Sequence, residues 1–194
     1  TEFLLVDGGK MSKSLGNVYT LDELQERNIE PLAFKLFCYT SHYRNKLNFT
    51  FEGVNASEKA LGRLREGYIS HINGKEIADK DKLESYKKRF TLAINDDLNM
   101  PLAMGIVWEL IREEKKSPEY AKLLEEFDEV LGLNLKNYKK KSIEIPKDVQ
   151  NLIEERIEAR KNKDWKKSDT LRDMIKIKGF IVKDTPNGVE VEKA

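Results

Sequence analysis

The chain has 194 residues, 36% charged and 39% hydrophobic, with a net charge of +1, the balance of a well-solvated, helix-rich protein of one or two domains. No apolar run approaches the roughly 18 residues needed to span a membrane, no signal peptide is recognised, and the lone cysteine, Cys38, excludes an internal disulfide and argues against a cysteine-based zinc site. Between Lys136 and Lys183 stand 15 basic and 8 acidic residues, so a near-neutral total conceals a basic C-terminal third, which suggests an anionic partner there.

Phe3 to Val6 reads as a short strand. Gly8-Gly9 follows and loosens the backbone, because residues without Cβ reach conformations closed to others. Then comes Lys10-Met11-Ser12-Lys13-Ser14. A flexible loop with two ammonium groups and two hydroxyls suits a polyphosphate, on whose oxygens its charges can close as negative charge moves there. The plainer reading is a solvated Lys/Ser turn. The strand has no evident partner nearby, and the chain opens on Thr1-Glu2. A piece of a longer, cytoplasmic protein is therefore expected, with the strand completing a sheet.

Thr20 and Glu23 form a capping box for a short helix. Pro31 opens a second helix through Tyr39, apolar nearly all round and so expected to be buried. Cys38 within it reads as a small core residue rather than a nucleophile. Ser41 to Thr50 reads as a polar loop, with His42 either structural or a phosphate contact. Four amphipathic helices follow, marked by Val54, Leu61, Leu64, Tyr68 and Ile72; by Leu83, Tyr86, Phe90 and Ala93; by Leu102, Ala103, Ile106 and Leu110; and by Tyr120 through Leu131. Their joints are short, so an antiparallel bundle is expected. Asp96 and Asp97 read as caps rather than metal ligands.

Residues 136–145 are lysine-rich and read as a linker. Pro146 opens a helix through Arg160, and Asp164 caps the next, which Gly179 ends. Phe180 to Val182 and Val189 to Val191 are expected to form a hairpin through Thr185-Pro186-Asn187-Gly188. Trp165 and Asp169 share a helix face, and Arg160 lies just before the turn. Arginine and aspartate can bond base edges and tryptophan can stack, as in the reading of unpaired RNA. The plainer reading is a core Trp with an ordinary capping Asp.

The pentapeptide Lys10 to Ser14 resembles the KMSKS signature of class I aminoacyl-tRNA synthetases. His42-Tyr43-Arg44 with Leu47-Asn48-Phe49, and Ala159 to Trp165 with Asp169, Leu171-Arg172-Asp173 and Asp184 to Gly188, resemble cysteinyl-tRNA synthetases. The resemblance covers essentially the whole chain. It implies that Lys10 and Lys13 are catalytic, with Lys13 nearest the phosphates of ATP. It further implies that Arg160 and Asp169, beside Trp165, address the first anticodon base, and Asp184 the second. One departure is Val191, where the family carries a tryptophan.

The expected fold is mainly α: an antiparallel helical bundle of the anticodon-binding type with a small C-terminal helix pair and β-hairpin. The expected division is 1–50, the end of a catalytic domain with the signature loop; 51–135, the bundle; 136–145, a basic linker; and 146–194, an anticodon-recognition domain. The expected function is that of the C-terminal portion of a cysteine–tRNA ligase, inactive by itself. ATP with Mg2+ would act in the whole enzyme, and Zn2+ and cysteine would be held by a missing N-terminal part. Cysteine tRNA is the expected macromolecular partner of a monomer. The alternative is a non-catalytic RNA-binding helical module.

Overall fold

The computed structural model describes residues 4–138, 145–185 and 188–193. Phe3, residues 139–144 of the expected linker with its lysines 139–141, and Pro186-Asn187 of the expected hairpin turn lie outside these residues. The chain forms two units, Thr1–Tyr138 and Lys139–Ala194. Both are mainly helical, each with a small sheet.

In the first unit, β1 (Leu4–Val6) pairs antiparallel with β2 (Gly9–Lys10), Leu5 opposite Lys10 and Val6 opposite Gly9. The connection is Asp7-Gly8, with φ of 48° and 78°. Two positive φ values make the tight turn whose twist matches the strands it joins, and Asp-Gly is among its preferred sequences. The expectation of a strand without a nearby partner is thereby corrected. On its other edge β1 runs parallel to β3 (Leu47–Phe49), inside the segment expected to be a polar loop. The alternation there is buried Leu47, exposed Asn48, buried Phe49, the period of a half-buried strand.

The capping box forms on α1 (Leu21–Glu26), and Pro31 takes the first turn of α2 (Pro31–Cys38). Only Ala33, Leu36 and Phe37 of α2 are fully buried. These side chains divide between two apolar clusters. One holds Val6, Leu24, Phe37, Phe49 and Val54 beneath the sheet. The other is the bundle core of α3 (Phe51–Ile72), α4 (Lys80–Asn95), α5 (Met100–Ile111) and α6 (Pro118–Leu131). Most of the expected core faces are buried, but Ile72, Leu102 and Val130 are about half exposed. Leu102 and Val130 lie at the margins of their stripes, where a small helix rotation takes a side chain out of the core, and Ile72 is the last residue of α3. Cys38 is half-buried, and burial pushes its thiol pKa up, as suits an inert thiol.

Among the described residues, polar ties at three places fasten the N-terminal segment to the bundle. Lys35 Nζ donates to the Gly132 carbonyl at 3.0 Å and Tyr39 Oη to the Leu131 carbonyl at 2.7 Å. These satisfy carbonyls left open at the C-terminus of α6, with a cation at the dipole's negative end. Arg65 of α3 meets both carboxylate oxygens of Glu30 at 2.6 Å. The third tie gathers on Asp97. Arg44 donates twice to its carboxylate, at 2.6 and 3.1 Å, Tyr43 Oη donates at 2.6 Å, and the His42 ring meets its carbonyl at 3.0 Å. Arg44 holds the Asp97 carboxyl below the usual range. Asp97 is therefore a tether; the cap of α5 is Asn99, whose side chain accepts from the Leu102 amide.

His71 is wholly buried. Its Nε2 donates to the Leu110 carbonyl at 3.1 Å, and its Nδ1 faces the Ser117 amide at 3.4 Å. Burial, and then nearby Lys116, lower its pKa. The folded state thus takes up a proton at lower pH than the unfolded state. The neutral ring's contribution is complete above the unfolded value of about 6.5 and is lost as pH falls through the lowered folded value. Urea midpoints of the first unit are expected to fall between pH 7 and 5. The slope should flatten in His71→Gln; an equal slope in both proteins would refute the assignment.

The second unit packs α7 (Lys147–Lys161) on α8 (Trp165–Ile177), with the antiparallel pair β4 (Phe180–Thr185) and β5 (Gly188–Lys193). Both strands run longer than expected. Val149, Ile153, Ile175, Phe180 and Val182 form the core, and Val191, opposite Val182, packs against it. Among the described residues no helix is long and apolar enough to cross a membrane.

Candidate functional site

The β1–β2 hairpin delivers Lys10 at its end, and the chain then turns through Met11 and Ser12 into one 3₁₀ turn, Lys13–Leu15. Met11 is half-buried and packs against the cluster under the sheet. Lys10 and Lys13 are exposed. Gly16, at φ 66°, closes the turn through its amide to the Lys13 carbonyl at 3.1 Å. This left-handed conformation favours glycine. The Ser12 and Ser14 hydroxyls meet at 2.8 Å. Sequence reasoning passed over two asparagines here. Asn48 Oδ1 accepts from the Gly8 amide at 2.7 Å and ties the hairpin tip to β3. Asn17 bonds back to the loop itself, through the Ser12 amide and the Lys10 carbonyl. The result is a shaped turn that presents two ammonium groups to solvent, an arrangement able to stabilise developing charge on phosphate oxygens.

In the second unit, Arg160 at the end of α7 lies with its guanidinium carbon 5.5 Å from the centroid of the Trp165 ring. Trp165 opens α8 and is 56% exposed, so it is not a core residue. Asp184 on β4 stands 3.5 Å from Arg160. Asp169 is exposed on α8 and pairs at 3.7 Å with Arg172 one turn on. Arg160, Trp165 and Asp184 are thus brought together, while Asp169 is engaged by a different arginine.

The residue missed from sequence is Arg156. It is wholly buried and donates to both oxygens of Asp184, at 2.9 and 2.8 Å. This pairing is the main reason that the Asp184 carboxyl is held below its usual range. Asp184 is therefore first an internal counter-ion, a role that a basic residue at a core-facing helix position signals only weakly. Lys161, Lys163, Lys166 and Lys167 are exposed around the α7–α8 joint, as phosphate contacts would need.

Comparison with known proteins bears on both stretches. Residues 1–59 match the model of the class I (C) tRNA synthetase catalytic domain. Residues 143–191 match that of the cysteinyl-tRNA ligase anticodon binding domain. Both ends resemble the cysteinyl-tRNA synthetase family. Among curated relatives, cysteine–tRNA ligase 1 of Burkholderia lata is 39% identical over 92% of this chain and 37% of its own length. The cysteine–tRNA ligase of Borreliella afzelii is 35% identical over 99% of the chain and 44% of its length. That of Caldicellulosiruptor saccharolyticus is 36% identical over 98% and 44%. The chain spans less than half the length of these relatives.

The catalytic-domain match corrects several expectations. Catalytic-domain sequence is present at the N-terminal end, so the chain is not solely a C-terminal portion. Zinc and cysteine binding cannot be assigned to a missing catalytic part. The match also counts against a helical module with no catalytic stretch. Zinc itself does not suit the described residues, among which no group of three or more His, Cys, Asp or Glu side chains could hold a metal ion.

Proposed function

We propose that this chain serves a cysteine–tRNA ligase. In this reading the Lys10–Ser14 loop meets the phosphates of ATP, and the helix pair and hairpin meet the anticodon of cysteine tRNA. The observation that carries the proposal is a coincidence of place. The exposed loop lysines fall inside the catalytic-domain match, and half-buried Arg160 with exposed Trp165 falls inside the anticodon-binding match. Lys10 and Lys13 then supply positive charge as pyrophosphate is displaced from the α-phosphorus by the carboxylate of cysteine. Arg160 and Asp169 address the first anticodon base, Trp165 provides a stacking face, and Asp184 addresses the second base while remaining bonded to Arg156. The functional division follows 1–50, 51–135, 136–145 and 146–194, in a cytoplasmic setting.

RNA binding should contain two separable terms. Phosphate contacts carry no sequence information and weaken with salt, whereas base contacts specify. Lys163→Ala is expected to weaken every tRNA alike and to reduce the salt slope by about one phosphate or less. Asp169→Ala should instead erode preference for the cysteine anticodon by about 1–3 kcal/mol. The comparison is binding of cysteine tRNA and an anticodon-swapped tRNA to variants whose circular dichroism is unchanged. An unaltered ratio in folded Asp169→Ala removes Asp169 from the reading surface.

A further inference from the structure

We infer that Asn17 is a positioning residue for the lysine loop, holding Lys10 to Ser12 in the turn that presents Lys10 and Lys13. This rests on the reading of the loop as the phosphate-facing element. One side-chain amide touches both ends of the turn. Its Oδ1 accepts from the Ser12 amide at 2.8 Å, and its Nδ2 donates to the Lys10 carbonyl at 3.1 Å. Lys10 is the last residue of β2, opposite Leu5, and the ladder ends there. The Asn17 amide therefore takes over backbone pairing where the strand stops.

The residue type matters. An amide both donates and accepts; a carboxylate only accepts, and alanine does neither. The amide is also neutral, so it shapes the turn without adding an anion between two lysines that must meet another anion. Gly16 brings the chain round, its positive φ turning the backbone so that Asn17 reaches back seven residues to Lys10. Met11, packed into the cluster beneath the sheet, fixes the turn from inside. Asn17 fixes it from outside. Neither touches the phosphate. They set where the two ammonium groups begin, which matters because charge stabilisation depends on placement before reaction.

Two measurements test this. On the 194-residue chain, amide exchange at Ser12 is followed by NMR in the wild type, Asn17→Ala and Asn17→Asp. Losing the acceptor is expected to speed Ser12 exchange about tenfold in Asn17→Ala, and Asn17→Asp should keep most of the protection. In the complete ligase, Asn17→Ala should lower kcat for cysteine-dependent ATP–pyrophosphate exchange about tenfold, with KM for cysteine unchanged. A double-mutant cycle with Lys13→Ala distinguishes positioning from general destabilisation. If Asn17 acts by placing the lysine, its effect shrinks when Lys13 is absent. Unchanged Ser12 exchange overturns the inference. So does an Asn17→Ala effect that is missing, or that persists in full without Lys13 while Lys13→Ala by itself slows activation. If Lys13→Ala alone leaves activation unaltered, the phosphate reading has failed, and the positioning role falls with it even if Ser12 exchange still reports the clamp.

Discussion

Replacing Lys13 with alanine in the complete ligase is expected to slow cysteine activation by about 10²–10³, while cysteine binding stays nearly unchanged. Removal of one preorganised group aimed at developing charge costs about 2.7–4 kcal/mol in comparable sites. The structure makes the substitution a clean one. The Lys13 side chain is exposed, and the loop is shaped by the backbone bond from Gly16, by the side-chain amide of Asn17 and by packing of Met11. Truncating Lys13 removes a charge and leaves those contacts in place. The effect should therefore appear in kcat for pyrophosphate exchange rather than in the folding midpoint. Loss of rate with equal loss of stability would point to a structural lysine. An unaltered rate would refute the assigned role.

Asp184→Ala is expected to destabilise the second unit by about 3–5 kcal/mol, because it strands a buried guanidinium without its counter-ion. Arg156 is wholly buried, and Asp184 is its bidentate partner. The reverse substitution should be milder. Asp184 is 34% exposed and can rehydrate, and methionine in place of Arg156 can fill the same space. Urea unfolding of the second unit should therefore rank Asp184→Ala below Arg156→Met, and both below the wild type. The ranking affects tRNA experiments directly. A loss of anticodon preference in Asp184→Ala counts as lost base reading only at temperatures where the variant remains folded. If Asp184→Ala keeps its stability to within about 1 kcal/mol, a threshold below the cost of an uncompensated buried charge, the counter-ion role fails.

The helices of this protein are legible in its sequence because their signals are local. A cap and the amide it satisfies lie two or three residues apart, as with Thr20 and Glu23, or Ser117 and Glu119, so both partners are visible in one short window. The same holds for Gly132, whose left-handed φ of 58° ends α6. The pentapeptide from Lys10 to Ser14 and the Arg160–Trp165 stretch are likewise contiguous, and sequence alone singled them out. Tertiary structure decided what those stretches touch. β3 is a strand because β1 lies beside it, more than forty residues away in sequence. Asp97 is a tether because Arg44 reaches it from fifty-three residues away, and Asp184 is a counter-ion because Arg156 lies twenty-eight residues before it. Asp-Gly at 7–8 carried a hairpin signal that was local, but three residues of strand on one side and two on the other give too little alternation to reveal the pairing. A carboxylate in sequence shows its charge and nothing of its partner; only the return of the chain determines whether that charge faces a base, a metal or a buried arginine.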